Sequence, residues 1–221
     1  MLNTLVESLF ADEVIDPDSC TTPRWFVYLF VLKDGSAFEV GFCNTPLHRL
    51  RARTARFHEL FDLSTSVLLN VSNFAQACEI EANLKQQLSH ADMAPSVSLT
   101  GADGSRTDWF DAAQVGRARE VLASVMRESS APLLTLAQVI MRDLFDLQFR
   151  AEVWAFGVAK QLNAGIAYAP NASHLELARC LRDCLDAYRA LRVPLFATQS
   201  EQGNFVWQIA RLYRPALTAT L

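Results

Sequence analysis

The chain has 221 residues, 51% of them hydrophobic and 20% charged, with a formal net charge of −4. Those values exclude a disordered chain and leave room for one large domain or two small ones with a real core. They argue against a general DNA coat protein, which would be basic, and no apolar run reaches the ~18 residues of a membrane-spanning helix.

Charge is unevenly distributed. Residues 1–130 carry 11 basic and 17 acidic side chains, a net of −6. The remainder carries 9 and 7, a net of +2. No basic segment precedes the apolar residues of Met1 to Phe10, so a secretory leader is not expected. The five cysteines include no CxxC pair. A reducing cytoplasm is the expected compartment, and Cys180 and Cys184, four apart on a helix face, read as small core residues.

Residues 2–15 read as a short amphipathic helix, broken at Pro17. Trp25 to Leu32 is aromatic and β-branched and reads as a buried strand. Asp34-Gly35 signals a hairpin, and Ala37 to Cys43 returns as a second strand. Asn44-Thr45-Pro46 starts a helix, with Leu47, Leu50 and Phe57 on its inner face and Thr54 between them. Ser64 to Val71 is a third strand. Ser72 or Asn73 caps a helix running to about Ser89. Residues 91–107 are loop-rich, Asp108-Trp109-Phe110 closes them, and a helix follows from Asp111 to Arg127. Beyond Ser130 the segments Leu134 to Asn163, Ser173 to Leu191 and Gln199 to Arg214 all read as helical. The expected class is α+β: a small antiparallel sheet of about three strands flanked by helices, then an all-helical C-terminal region. The expected divisions are 1–23, 24–128 and 129–221.

One strip of residues carries chemistry. His48, Arg49, Arg51, Arg53, Arg56 and His58 form a basic run in an acidic half, and Arg49, Arg53 and Arg56 share a face at helical spacing. Such a strip suits a phosphate track. It would also suit a solvated face paired with Glu59 and Asp62. An arginine can fork onto two phosphate oxygens, a carboxylate such as Glu81 can hold a hard divalent cation, and a tyrosine such as Tyr28 can orient or deprotonate water. Glu81 stands beside the apolar face set by Leu84 and Leu88. Gly41 reads as a place of close backbone approach. Trp109 and Phe110 read as core.

The order of these elements resembles the GIY-YIG nuclease superfamily. Phe26-Val27-Tyr28 stands where GIY stands, and Glu39-Val40-Gly41 where YIG stands. Phe42 to Leu50 is similar to the connector and the arginine helix, and Glu81 to Leu88 to the glutamate helix. Asp108-Trp109-Phe110 is similar to the acidic-Trp-Phe segment of phage-type members, whose second motif often reads KIG. Phe26 replaces the first glycine, Glu39 the second tyrosine or lysine, and Lys85 a common histidine. If Glu39 faces the site, it either adds a metal ligand or repels phosphate. The resemblance implies a divalent-metal-dependent endonuclease acting on nucleic acid, DNA favoured. Tyr28, Arg49 and Glu81 would be catalytic, Glu81 would hold weakly bound Mg²⁺ or Mn²⁺, and His48, Arg51, Arg53 and Arg56 would contact phosphates. The alternatives are a catalytically degenerate nucleic-acid-binding or regulatory protein, and an interaction protein. The latter would find a partner or a second copy through its helical tail, where Leu144, Phe145, Phe149, Trp154 and Phe156 cluster.

Overall fold

The computed structural model describes residues 24–88, 108–165, 171–197 and 200–213. The expected N-terminal helix over 2–15 and the loop over 91–107 lie outside the described residues. The chain divides into two compact units, whose described parts meet between Ile140 and Met141. No helix among the described residues is long and apolar enough to cross a membrane.

The first unit is α+β. Strands β1 (Trp25–Val31) and β2 (Ala37–Cys43) form the expected hairpin. Its turn uses Gly35 at φ +69°, a left-handed conformation open to glycine at little cost. Asp34 Oδ1 accepts from the Ser36 amide at 2.9 Å and its hydroxyl at 2.7 Å, which holds the Asp34 carboxyl below its ordinary pKa. Helices α1 (Pro46–Arg53) and α2 (Phe57–Leu60) follow. Strand β3 (Val67–Val71) leads into α3 (Phe74–Leu88), capped by Asn73, whose Oδ1 accepts from the Gln76 amide. Strand β4 (Asp108–Asp111), a 3₁₀ turn, α4 (Val115–Ser129) and strand β5 (Leu133–Thr135) complete it. The sheet is antiparallel with order β4-β2-β1-β3-β5.

The sheet has five strands where about three were expected. The two added strands are its edges. Asp108 to Asp111 pairs with β2, and Leu133 to Thr135 pairs with β3. Segments of three or four residues carry too little periodicity to read as strands alone; the open edges of β2 and β3 recruit them. Strand β5 thus ties residues 133–135 to the sheet, so the first unit extends past the expected division at 128. The helix expected from Pro46 through Phe57 ends at Arg53, where Thr54 turns extended. The third strand starts at Val67 because Asp62 folds the preceding residues into a turn. Its Oδ1 accepts from the amides of Ser64 and Thr65 and from the Ser64 hydroxyl, and the last of these does most to lower its pKa.

Strand alternation divides the core in two. Val27, Leu29, Val31, Phe38, Val40 and Leu69 face one side. There they pack on Ala77, Ile80, Leu84 and Leu88 of α3 and on Ala118 and Leu122 of α4. Tyr28, Phe30, Glu39 and Gly41 face the other, and α1 and α2 lie over them. Tyr28 stacks on Phe30 at 4.0 Å and 14°, and Phe30 meets Phe61 edge-on at 5.7 Å.

In the second unit, the single helix expected from Leu134 to Asn163 is broken at Leu147. It yields α5 (Leu136–Asp146), which crosses the division, and α6 (Gln148–Gly165). Helices α7 (Ala172–Ala190) and α8 (Glu201–Leu212) follow, capped by Asn171 and Ser200. They close on α6 through Ala155, Val158, Ala159, Leu162, Leu181 and Val206. Buried hydroxyls tie the helices down: Tyr188 donates to the Leu144 carbonyl at 2.9 Å, and Tyr213 to that of Leu162 at 3.0 Å.

Gly41 pairs across the hairpin with Tyr28, whose ring lies over it. A Cβ at Gly41 would stand 2.5 Å from Tyr28 Cζ and nearer its hydroxyl oxygen. Gly41→Ala should therefore lower stability by about 1–3 kcal/mol, because a buried ring must be displaced. The same change made in a Tyr28→Leu background should cost much less. Urea midpoints of the four proteins check this.

Candidate functional site

A strand places Tyr28 and Glu39 on one sheet face, and a helical turn brings Arg49 and Arg53 over them. Residues 49 and 53 are four apart on α1 and so point the same way, an arrangement that repels two like charges. Glu39 resolves the repulsion. Its carboxylate is 0% exposed, and Oε1 alone accepts three hydrogen bonds. They come from Tyr28 Oη at 2.8 Å, Arg49 Nη2 at 3.0 Å and Arg53 Nη2 at 2.8 Å. Arg49 Nε also donates to Tyr28 Oη at 3.0 Å. Phe30 and Trp109 flank Glu39 across the two neighbouring strand pairs, and both are buried. Their side chains help shield the carboxylate from solvent.

The cluster therefore holds two guanidiniums and one carboxylate, a net of one positive charge. Arg53 is structural, its side chain 1% exposed. Arg49 is 25% exposed and is the outlet of the cluster to solvent. Burial works to lower the Arg49 pKa, but Tyr28 and Glu39 outweigh it and the guanidinium stays charged. Burial raises the Tyr28 phenol well above its ordinary value, and the neighbouring Glu39 charge raises it further. Tyr28 thus keeps its proton at neutral pH and donates a hydrogen bond to Glu39, while its oxygen accepts from Arg49 Nε.

The structure brings together Tyr28 and Arg49 and leaves Glu81 apart. Helix α3 packs on the opposite sheet face, and Glu81, its side chain 16% exposed, pairs with Lys85 Nζ at 2.9 Å. Lys85 sits at i+4, so the pair is a local helical one. Among the described residues no group of three His, Cys, Asp or Glu side chains could hold a metal ion. Glu39 Oε1 is taken by two arginines, Glu81 pairs with a lysine, and the two carboxylates lie on opposite faces of the sheet, so they do not form a joint site for a divalent cation.

The basic strip is shorter than its sequence implies. Arg53 is removed to the interior. Arg56 follows the end of α1, so it leaves the shared face; it binds Glu59 through both Nε, at 2.7 Å, and Nη2. That contact, more than any other, lowers the Glu59 pKa. His48 is exposed and Arg51 half-buried on α1. Trp109 and Phe110 are core: Phe110 stacks on Phe38 at 5.6 Å, and Trp109 borders Glu39. Of the residues clustered in the tail, Leu144 is buried and Trp154 and Phe156 half-buried, whereas Phe145 and Phe149 are exposed. The role of Arg53 was the residue-level feature the sequence concealed. Its signal is an acid inside an apolar strand followed by an i, i+4 arginine pair.

Comparison with family models, with curated proteins and with solved structures returns no match in any of the three.

Two measurements probe the cluster. Glu39→Ala strands two guanidiniums, one of them buried, and should cost about 3–5 kcal/mol. Glu39→Leu combined with Arg53→Met should recover most of that, because an apolar pair replaces the buried ions. Urea denaturation reads both. The second measurement is alkaline titration. Tyr28 has a raised pKa in the folded state, so its contribution to stability is complete below the ordinary value of 10.0. That contribution is lost as pH rises beyond it, since only the unfolded chain then gives up the proton. Absorbance at tyrosinate wavelengths should show Tyr28 ionising only together with unfolding, a step missing in Tyr28→Phe.

Proposed function

We propose that the first unit is a GIY-YIG-like domain that binds nucleic acid, DNA above all, without hydrolysing it. The observation that carries this reading is the buried Glu39 carboxylate. In the resembling family the two motif positions and the helix arginine serve the reacting phosphate. Here Tyr28 directs its proton at Glu39, and its raised pKa keeps the phenol protonated, so no phenolate is present to take a proton from water. Arg49 commits Nε and Nη2 to Tyr28 and Glu39, leaving Nη1 for a ligand oxygen. The carboxylate that would anchor a metal is paired with Lys85. What remains is a partly exposed cation with net positive charge behind it and an exposed histidine beside it. That suits one or two phosphate contacts and does not suit chemistry.

The other reading is the divalent-metal-dependent endonuclease, with Tyr28, Arg49 and Glu81 as catalytic residues and Mg²⁺ or Mn²⁺ recruited with the substrate. The 3.0 Å hydrogen bond between Arg49 and Tyr28 favours it, since two of the three motif residues already touch. One experiment separates the two. Supercoiled plasmid is incubated with Mg²⁺ or Mn²⁺ and wild type, Arg49→Ala or Glu81→Ala protein, and binding of labelled DNA is followed across salt. The expected result is no cleavage by any protein, with binding whose salt slope is about −1 to −2 and which Arg49→Ala weakens. Metal-dependent cleavage lost in both variants would establish the endonuclease instead.

A further inference from the structure

The second unit carries a site of its own. Helices α7 and α8 run past one another and leave an open cleft of about 470 Å³ lined by Arg189, Asn204, Trp207, Gln208 and Arg211. It continues into a neighbouring hollow of about 410 Å³ that adds Arg182 and shares Arg189, Trp207 and Arg211. Three arginines thus surround one indole. The local acid is Asp186, which takes Arg182 Nε at 3.6 Å, so the surface keeps a net positive charge. The described part of this unit lies within residues 131–221, whose net charge is +2.

The arrangement at the centre is specific. One side of Trp207 packs against the helical core. Arg189 lies over the indole, its guanidinium carbon 4.6 Å from the ring centroid. An indole holds a guanidinium flat and cuts its rotational freedom. Arg189 is itself exposed, so its guanidinium can be reached from solvent. A flat cation supported from below is a stacking platform for a heterocyclic ring. Arg182 and Arg211 stand in the same continuous groove, where they can meet phosphates. Asn204 and Gln208 are four apart on α8, both exposed and both able to donate and accept.

We propose that the α7–α8 cleft binds single-stranded nucleic acid. A base stacks on the Arg189–Trp207 pair, the backbone phosphates lie against Arg182 and Arg211, and Asn204 and Gln208 meet the base edge. A duplex does not fit this chemistry, because its bases are stacked on each other and leave Arg189 no ring to take. The inference does not depend on the site at Arg49, which belongs to the other unit.

The test uses the full-length protein and a fluorescein-labelled oligothymidylate of ~12 nucleotides, read by anisotropy across salt. The expected result is that Arg189→Glu and Arg211→Glu each weaken binding on the order of tenfold and reduce the salt slope by about one. Both residues are exposed, so the variants should keep the wild-type circular dichroism and melting temperature. Trp207→Phe keeps the core packing and should weaken binding less, in step with a poorer support for Arg189. A hairpin duplex of equal charge should bind more weakly than the single strand. Four results would overturn the proposal: no binding of the oligonucleotide by wild type; unchanged binding by the two charge-reversal variants; equal affinity for the duplex in an Arg49→Ala background, where the first unit no longer contributes; or loss of single-strand binding in Arg49→Ala alone, which would place the strand on the first unit.

Discussion

The first unit depends on one buried negative charge. Glu39 sits in the middle of β2, between two neighbouring strands, where water cannot reach it. A lone carboxylate there would be prohibitive. It is tolerated because α1 delivers two guanidiniums four residues apart and β1 delivers a phenol. Each partner needs the other as much as Glu39 does. Without the carboxylate, Arg49 and Arg53 would repel and Arg53 could not stay in the interior. The cluster thereby pins the first turns of α1 to the sheet. It also fixes the ring of Tyr28, which in turn demands a residue without a side chain at Gly41.

That same charge decides what the site can do. In a hydrolytic site an arginine and a tyrosine must be free to respond to charge that develops on the reacting phosphate. Here both are already hydrogen-bonded to the Glu39 carboxylate. Only the exposed edge of Arg49 remains for a ligand. The sheet adds a second constraint. Alternation sends Tyr28 and Glu39 to one face, and the apolar stripe Ala77, Ile80, Leu84 sends α3, with Glu81, to the other. Glu81 then finds its partner on its own helix, in Lys85.

The second unit solves a different problem with the same residue type. Its core is closed by aliphatic contacts among α6, α7 and α8, and two tyrosine hydroxyls reach carbonyls across it. Arg189 and Arg211 are exposed beside that core. One of them lies over the Trp207 ring. Buried arginines on a carboxylate and exposed arginines on an aromatic ring are two distinct uses of the guanidinium: one neutralises, the other presents.

Much of this was legible in the residues. The aromatic run from Trp25, the Asp34-Gly35 turn and the return to Cys43 determined the hairpin, because their strand and turn preferences are local. The helices were legible from apolar spacing for the same reason. Glycine at position 41 and the core character of Trp109 and Phe110 were also readable. Tertiary structure decided the rest. Edge strands as short as Leu133–Thr135 exist only because a neighbouring strand offers them hydrogen bonds. The break at Thr54 took Arg56 out of line with Arg49 and Arg53, which no count of charges reveals. Whether Arg53 is a surface cation or an interior counterion depends on Glu39, fourteen residues away in sequence and 2.8 Å away in space. Charge is a property of the residue, but its availability to a ligand is set by what the fold places beside it.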